Sequence, residues 1–195
     1  MLSEIRPAIV STVLFTLLLG VGYPLAVTGV SKLAFPGQAE GSLIRDRSGQ
    51  VIGSALIAQA FAKPEYLHPR PSAAGNGYDA SNSSGSNYGP LSSDLAKRVK
   101  GDADALRAST GHQEIPDDAI TTSGSGLDPD ISPAYALLQV DRVAKARGMS
   151  SETVRQVVAA HVESPFLGFI GQPHVNVLKT NLDLDATLAK AHAKT

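Results

Sequence analysis

The 195-residue chain is 43% hydrophobic and 18% charged, with 17 Lys and Arg against 18 Asp and Glu. That balance lacks the basic excess of a nucleic-acid binder, so no nucleic-acid partner is expected. Without cysteine there is no disulfide, thiolate zinc site or cysteine nucleophile, and with no Trp, five Phe and five Tyr there is little stacking surface for sugars or bases.

Residues 7–31 carry no charge and lie between Arg6 and Lys32. A helix rises about 1.5 Å per residue, so about 20 such residues cross a hydrocarbon layer of roughly 30 Å. The large apolar residues here, among them Leu14, Leu17, Leu18 and Leu19, each contribute about −0.3 to −0.6 kcal/mol to insertion, with no central charge opposing them at about +3 kcal/mol. The expectation is a retained membrane anchor in residues 1–35, spanning about 8–30, followed by one soluble domain over 36–195. The rival is a cleaved leader ending near Pro24. The run is long for a leader, and the nearest cleavage candidate, Val27-Thr28-Gly29, is a poor one.

Ala8, Thr12, Thr16 and Gly20 form an i, i+4 row of small residues, with Ser11 beside it. Such a row suits close approach of another helix in lipid, so Thr12, Thr16 and Gly20 are a candidate docking face for a larger membrane partner; a chance run of common membrane residues reads the same. No ionisable group lies in the span, which by itself offers no ion path. Arg6 precedes the span, and Lys32, Arg45 and Arg47 follow it, a count that favours a cytoplasmic domain although long domains translocate regardless.

In the remaining 160 or so residues, which suffice for one domain, residues 42–57 predict a hairpin about Ser48-Gly49. Residues 92–108 predict a helix with Leu91, Leu95, Val99, Ala103 and Leu106 on one stripe. Ser132 and Pro133 start a further helix that Gly148 ends, and Ser150 starts another, with Val154, Val157, Val158, His161 and Val162 marking its buried face. A strand over 174–178 then leads into a terminal helix, and the expected class is α+β.

His161 reads as a core or rim histidine. His68, His112, His174 and His192 show no metal-ligand spacing, so no metal site is expected. Residues 72–90 are rich in Gly, Ser and Asn, which fits a flexible loop. Tyr78, Tyr88 and Arg70-Pro71 favour an ordered loop that reads a partner. Neither a P-loop nor a G-x-S-x-G elbow occurs. "SGSG" at 123–126 could offer amides to an anion, but Asp128 and Asp130 follow and would repel one. Three readings stay open for this stretch: a turn leading into the helix, a hard-cation site including Asp117 and Asp118, or contact with a partner or nucleotide.

"RPSA" at 70–73, "SGSNYGP" at 84–90, "TSGSGLDPDISPAYALLQVDRVAKARG" at 122–148 and "HVNVLKTNLDLD" at 174–185 together resemble the C subunit of the Kdp-type potassium-transporting P-type ATPase. The likeness covers nearly the whole chain. It departs at Leu67, where a second aromatic is usual, and at Asp130, often a histidine.

The resemblance implies a non-catalytic subunit of a bacterial inner-membrane pump, single-pass, with its domain outside the cytoplasm. Its implied partners are a channel-like potassium-binding subunit, a P-type ATP-hydrolysing subunit and the lipid bilayer. It further implies assembly or stabilisation of the complex and a catalytic-chaperone role that raises ATP affinity. No cofactor is then held tightly, ATP being at most shared with the hydrolysing subunit. Candidate partner or nucleotide contacts are Arg70, Asn87, Ser123, Gly124, Ser125, Asp128, Gln139 and Arg142, the last as a counter-charge. No catalytic residue is expected. The alternatives are a membrane-anchored extracytoplasmic hydrolase using a serine from 81–86 or 121–125, and an extracytoplasmic ligand-binding domain.

Overall fold

The computed structural model describes residues 2–46 and 48–192. Arg47, one of the counted cations, lies outside the described residues. The chain divides into two units, Met1–Ile52 and Gly53–Thr195.

In the first unit the uncharged run is helical from Ile5 to Ala34 and is, among the described residues, the one helix long and apolar enough to cross a membrane. It comprises α1 (Ile5–Leu17), a π-helical turn (Leu18–Gly22) and α2 (Tyr23–Ala34). Pro24 explains the turn, because it has no N–H to give Gly20 and its ring would strike that carbonyl. One turn widens, the Tyr23 N–H donates to Leu18 O, and the helix continues past the proline. A short α3 (Pro36–Ala39) precedes the predicted hairpin, formed by β1 (Leu43–Arg45) and β2 (Val51–Ser54). Asp46 shapes its turn, its Oδ1 accepting from the Ser48 and Gln50 amides at 2.8 and 2.9 Å.

The second unit is helix-rich with one small sheet, an α+β arrangement. Ser92 caps α4 (Ser93–Thr110), its hydroxyl accepting from the Leu95 N–H. Ala103 is buried, while Val99 and Leu106 pack against the core. Leu91, expected on that stripe, instead precedes the cap and is fully exposed.

Ser132 caps α5 (Pro133–Leu138) and Gly148 ends α6 (Val140–Arg147) in the left-handed conformation, so both predicted ends hold. The single helix expected between them is interrupted at Gln139. Ser150 caps α7 (Ser151–Ala160), which buries Val154, Val157 and Val158. His161 follows as its half-buried C-cap, and Val162, expected on the helix, belongs to β4 (Val162–Glu163).

The sheet has the order β3–β5–β4, wholly antiparallel, with β3 at Asp130–Ile131 and β5 at His174–Asn176. The register sets Ile131 and Val162 on either side of Val175. The terminal helix α8 (Val177–His192) starts one residue past Asn176, earlier than expected, with Val177 and Leu178 already helical. Ile131, Tyr135, Val140, Val143, Val154, Val158, Val175 and Leu184 are the centre of the core. Each large apolar side chain buried here is worth about 1.5–3 kcal/mol.

Candidate functional site

The glycine- and serine-rich loop at 72–90 contains no helix or strand and folds against the loop at 121–127. Ser72 organises the junction. Its hydroxyl donates to Gly126 O at 2.6 Å and accepts from the Ala74 and Tyr78 amides at 3.1 and 2.8 Å. The Ser84 N–H and the Ser83 hydroxyl both donate to Ser125 O, at 3.0 and 2.9 Å. Gly126 lies in the seam at φ +67°, and a Cβ there would be 2.5 Å from Ser84 O. Only glycine accommodates both demands.

Arg70 pairs with Asp128 across the seam at 3.2 Å, so two predicted contact residues meet. Its other donors face the Thr121 and Thr122 carbonyls, and its own carbonyl accepts from the Tyr78 hydroxyl at 2.8 Å. Asp128 also accepts from the Asp130 N–H at 3.1 Å, the turn expected ahead of the helix. Ser123 is buried and lies 3.5 Å, hydroxyl to hydroxyl, from Ser125. Ser125 accepts from the Leu127 N–H at 3.1 Å. Gly124, Ser125 and Asn87 stay exposed, Asn87 in the left-handed region at φ +53°.

The acidic side chains near this loop serve the fold. Asp118 holds the start of α5, accepting from the Ser132 N–H and hydroxyl at 2.6 and 2.9 Å. Burial raises the Asp130 carboxyl above the usual aspartate range, and the Asn176 amide opposes that by donating to it at 2.9 Å. Among the described residues no group of three His, Asp or Glu gathers as a metal site.

Gln139 and Arg142 lie elsewhere, on a second constellation that sequence reasoning did not foresee. Residues 64–68 belong to no strand, yet every one of their carbonyls is taken by a side chain from α6, α8 or the joint between α5 and α6. Arg142 Nη1 donates to Pro64 O at 2.6 Å and to Tyr66 O at 3.0 Å. Arg147 Nε donates to Glu65 O at 2.5 Å. Asn181 takes both backbone groups of Leu67, and Gln139 takes both of His68. Arg142 Nη2 also donates to Gln139 Oε1. A carboxamide has one donor end and one acceptor end, so each stands in for one rung of a β-ladder. No short-range motif encodes this, because the partners lie 71 to 114 positions apart.

The clamp floors a cleft of about 630 Å³ lined by His68, His112, Tyr135, Gln139, Arg142 and Lys145, among others. Burial and the Arg142 charge lower the His68 pKa below the usual histidine value, while burial lifts the Tyr135 phenol to about 12. Burial also lowers the Arg142 pKa. Of the candidate contact residues only Gln139 and Arg142 line this cleft; Ser123, Ser125 and the others lie at the interlocked loops.

In the first unit a Cβ on Gly20 would lie 4.0 Å from Thr16 Cγ2, so these two small residues are neighbours despite the π turn. Ala8, Ile9, Thr12 and Val13 line a shallow recess further along the helix.

Over residues 5–186 the chain matches the family described as "K+-transporting ATPase, c chain". It is 67% identical to the potassium-transporting ATPase KdpC subunit of Caulobacter sp. (strain K31), over 95% of each chain. The identity is 61% to the subunit of the same name from Beijerinckia indica, over 95% of both chains. To the one from Rhodopseudomonas palustris (strain ATCC BAA-98 / CGA009) it is 52%, over 95% of this chain and 98% of that one. Matches of this length place the chain in the KdpC family, the c-chain subunits of K+-transporting ATPase complexes.

Proposed function

We propose that this accessory subunit acts by assembly. Its N-terminal helix docks through Thr12, Thr16 and Gly20 on a larger membrane subunit. Its domain, outside the cytoplasm, presents the face around Asn87, Gly124 and Ser125 to the channel-like potassium-binding subunit. The bacterial inner membrane is then its place, and the ATP-hydrolysing subunit shares the same complex.

One observation carries this reading. The hydroxyls of Ser72 and Ser83 join the two loops, to Gly126 O and Ser125 O, while Asn87, Gly124 and Ser125 are left exposed on a face ordered by those bonds. A surface of turns fixed from behind suits recognition, and the Ser72 and Ser83 hydroxyls donate to backbone carbonyls rather than to a base that would activate them. The test is co-purification: tagged full-length chain from solubilised membranes should carry two larger membrane proteins in fixed ratio. Recovery as a free monomer would refute it.

A second reading has the cleft behind it. With Lys145 and Arg142 on its wall and room for a nucleotide, it is where a catalytic chaperone would touch ATP alongside the hydrolysing subunit. Lys145 is exposed and outside the clamp, so Lys145→Ala in the assembled complex should weaken ATP affinity several-fold. Protease protection in spheroplasts decides between the two: a domain cleaved from outside has no access to cytoplasmic ATP.

A further inference from the structure

The connection between β4 and β5 runs from Ser164 to Pro173 without a charge. At its tip Phe166, Leu167, Phe169 and Ile170 are 69%, 70%, 76% and 51% exposed. Four adjacent large apolar side chains in water are unfavourable, and a contiguous patch of this kind marks a contact surface.

The tip is built to project them. Phe166 and Ile170 exchange both backbone hydrogen bonds at 2.9 Å, and the Gly168 and Phe169 amides donate to Pro165 O and Phe166 O. Leu167 is held at φ +54°, a conformation uncommon for a bulky residue, with its side chain in solvent. A loop free to hide its apolar groups would not hold a leucine in that conformation while exposing it.

We propose that the tip Phe166–Ile170 is a second membrane contact, inserting its apolar side chains into the interfacial layer of the bilayer that the N-terminal helix crosses. Three observations select uncharged lipid as the occupant. First, the amides of Phe166, Gly168, Phe169 and Ile170 are bonded within the loop, so these four donors lose nothing when the tip exchanges water for lipid. Second, the polar groups at its base are as much acidic as basic, with Glu163 between Lys179 and His174, so anionic headgroups gain nothing. Third, the chain holds the domain to the membrane by covalent continuity. From Ala34 to Gly53 it reaches at most about 65 Å, and tethering at that range makes even weak insertion effectively intramolecular. The inference rests on the helix being seated in lipid and is independent of which side the domain occupies.

The absence of cysteine permits a clean test in the full-length chain. Ser164→Cys at the rim of the tip, and Lys97→Cys on α4 as reference, each carry an environment-sensitive fluorophore in phosphatidylcholine proteoliposomes. Lipid spin-labelled near the headgroup should quench the label at 164 at least twofold more than the label at 97. Adding Phe166→Ser and Phe169→Ser should remove that excess, and exchanging part of the lipid for phosphatidylglycerol should leave it unchanged. Equal quenching at 164 and 97 overturns the proposal. So does a label at 164 that is shielded from both spin-labelled lipid and aqueous iodide in the assembled complex, since a protein partner would then cover the tip.

Discussion

Asn181 holds both polar groups of the Leu67 backbone, its Oδ1 accepting from the N–H at 2.8 Å and its Nδ2 donating to the carbonyl at 3.0 Å. Both residues are buried. Asn181→Ala therefore strands a buried donor and a buried acceptor with no water to replace the amide, at about 1–3 kcal/mol each. Denaturant unfolding of the full-length chain in detergent should show a loss of about 2–5 kcal/mol. Asn181→Asp should be worse than a small polar change suggests, because it keeps the acceptor, loses the donor and buries a charge. An effect below ~0.5 kcal/mol in both variants would show that residues 64–68 are not held by this clamp.

Arg147 tests the same clamp from the other side. Its side chain is 2% exposed, meets Asp185 at 2.8 Å and lies 5.0 Å over the Tyr66 ring. Asp185 is 46% exposed and keeps water when its partner is lost. The expected costs are therefore unequal. Arg147→Ala should cost about 3–5 kcal/mol, through lost packing and the lost bond to Glu65 O. Asp185→Asn should cost somewhat less, about 2–3 kcal/mol, because the buried guanidinium loses its counter-charge while the new carboxamide oxygen can still accept from it. Equal costs in thermal unfolding would contradict this division.

Much of this architecture was legible where the signal is local. The uncharged run, the three serine caps at Ser92, Ser132 and Ser150 and the glycine stop at Gly148 all have the structure their chemistry predicts. The break at Gln139 was not legible, because what sets it apart is a side chain drawn to His68, 71 positions away. Nor could β3 and β4 be read, since two residues show no alternation. Arg142 and Gln139 are ligand candidates by residue type alone. In the fold they line one cleft, and the backbone of 64–68 already engages them.

His68 supplies a pH dependence. Burial, then the Arg142 charge, lower its pKa in the folded chain below the ordinary 6.5. The unfolded chain thus binds the proton more tightly. The stabilisation from a neutral His68 is complete above about pH 6.5 and is lost as pH falls toward the folded-state value. Unfolding free energies between pH 7.5 and 5 should decline for the parent chain and decline less for His68→Gln. NMR titration of the imidazole should give a midpoint below 6.5; a midpoint above it would reverse the sign.

Gly126 joins folding to the loop face. At φ +67°, a methyl there would lie 2.7 Å from Ala74 N as well as against Ser84 O, both backbone atoms that cannot rotate away. Gly126→Ala should cost about 2–4 kcal/mol, roughly 1 for the left-handed backbone and the rest for overpacking. If the loop face docks on a partner, the variant should also be recovered with the complex less well than Asn181→Ala of matched stability. Equal recovery would mean that the interlocked loops matter only to folding.

The membrane face makes a prediction in which stability and assembly move apart. Thr16 and Gly20 are small and adjacent on a helix whose other residues already satisfy the bilayer, so leucine at either position favours insertion by a few tenths of a kcal/mol. Against a partner helix the same leucine prevents close approach, which in lipid is the main source of association. Gly20→Leu and Thr16→Leu should therefore leave membrane integration and expression at parental levels while lowering co-purification of the larger subunits several-fold. Leu19→Ala, a change off this row, should not. Parental recovery in both leucine variants would remove the row from the docking surface and leave the soluble domain to hold the complex.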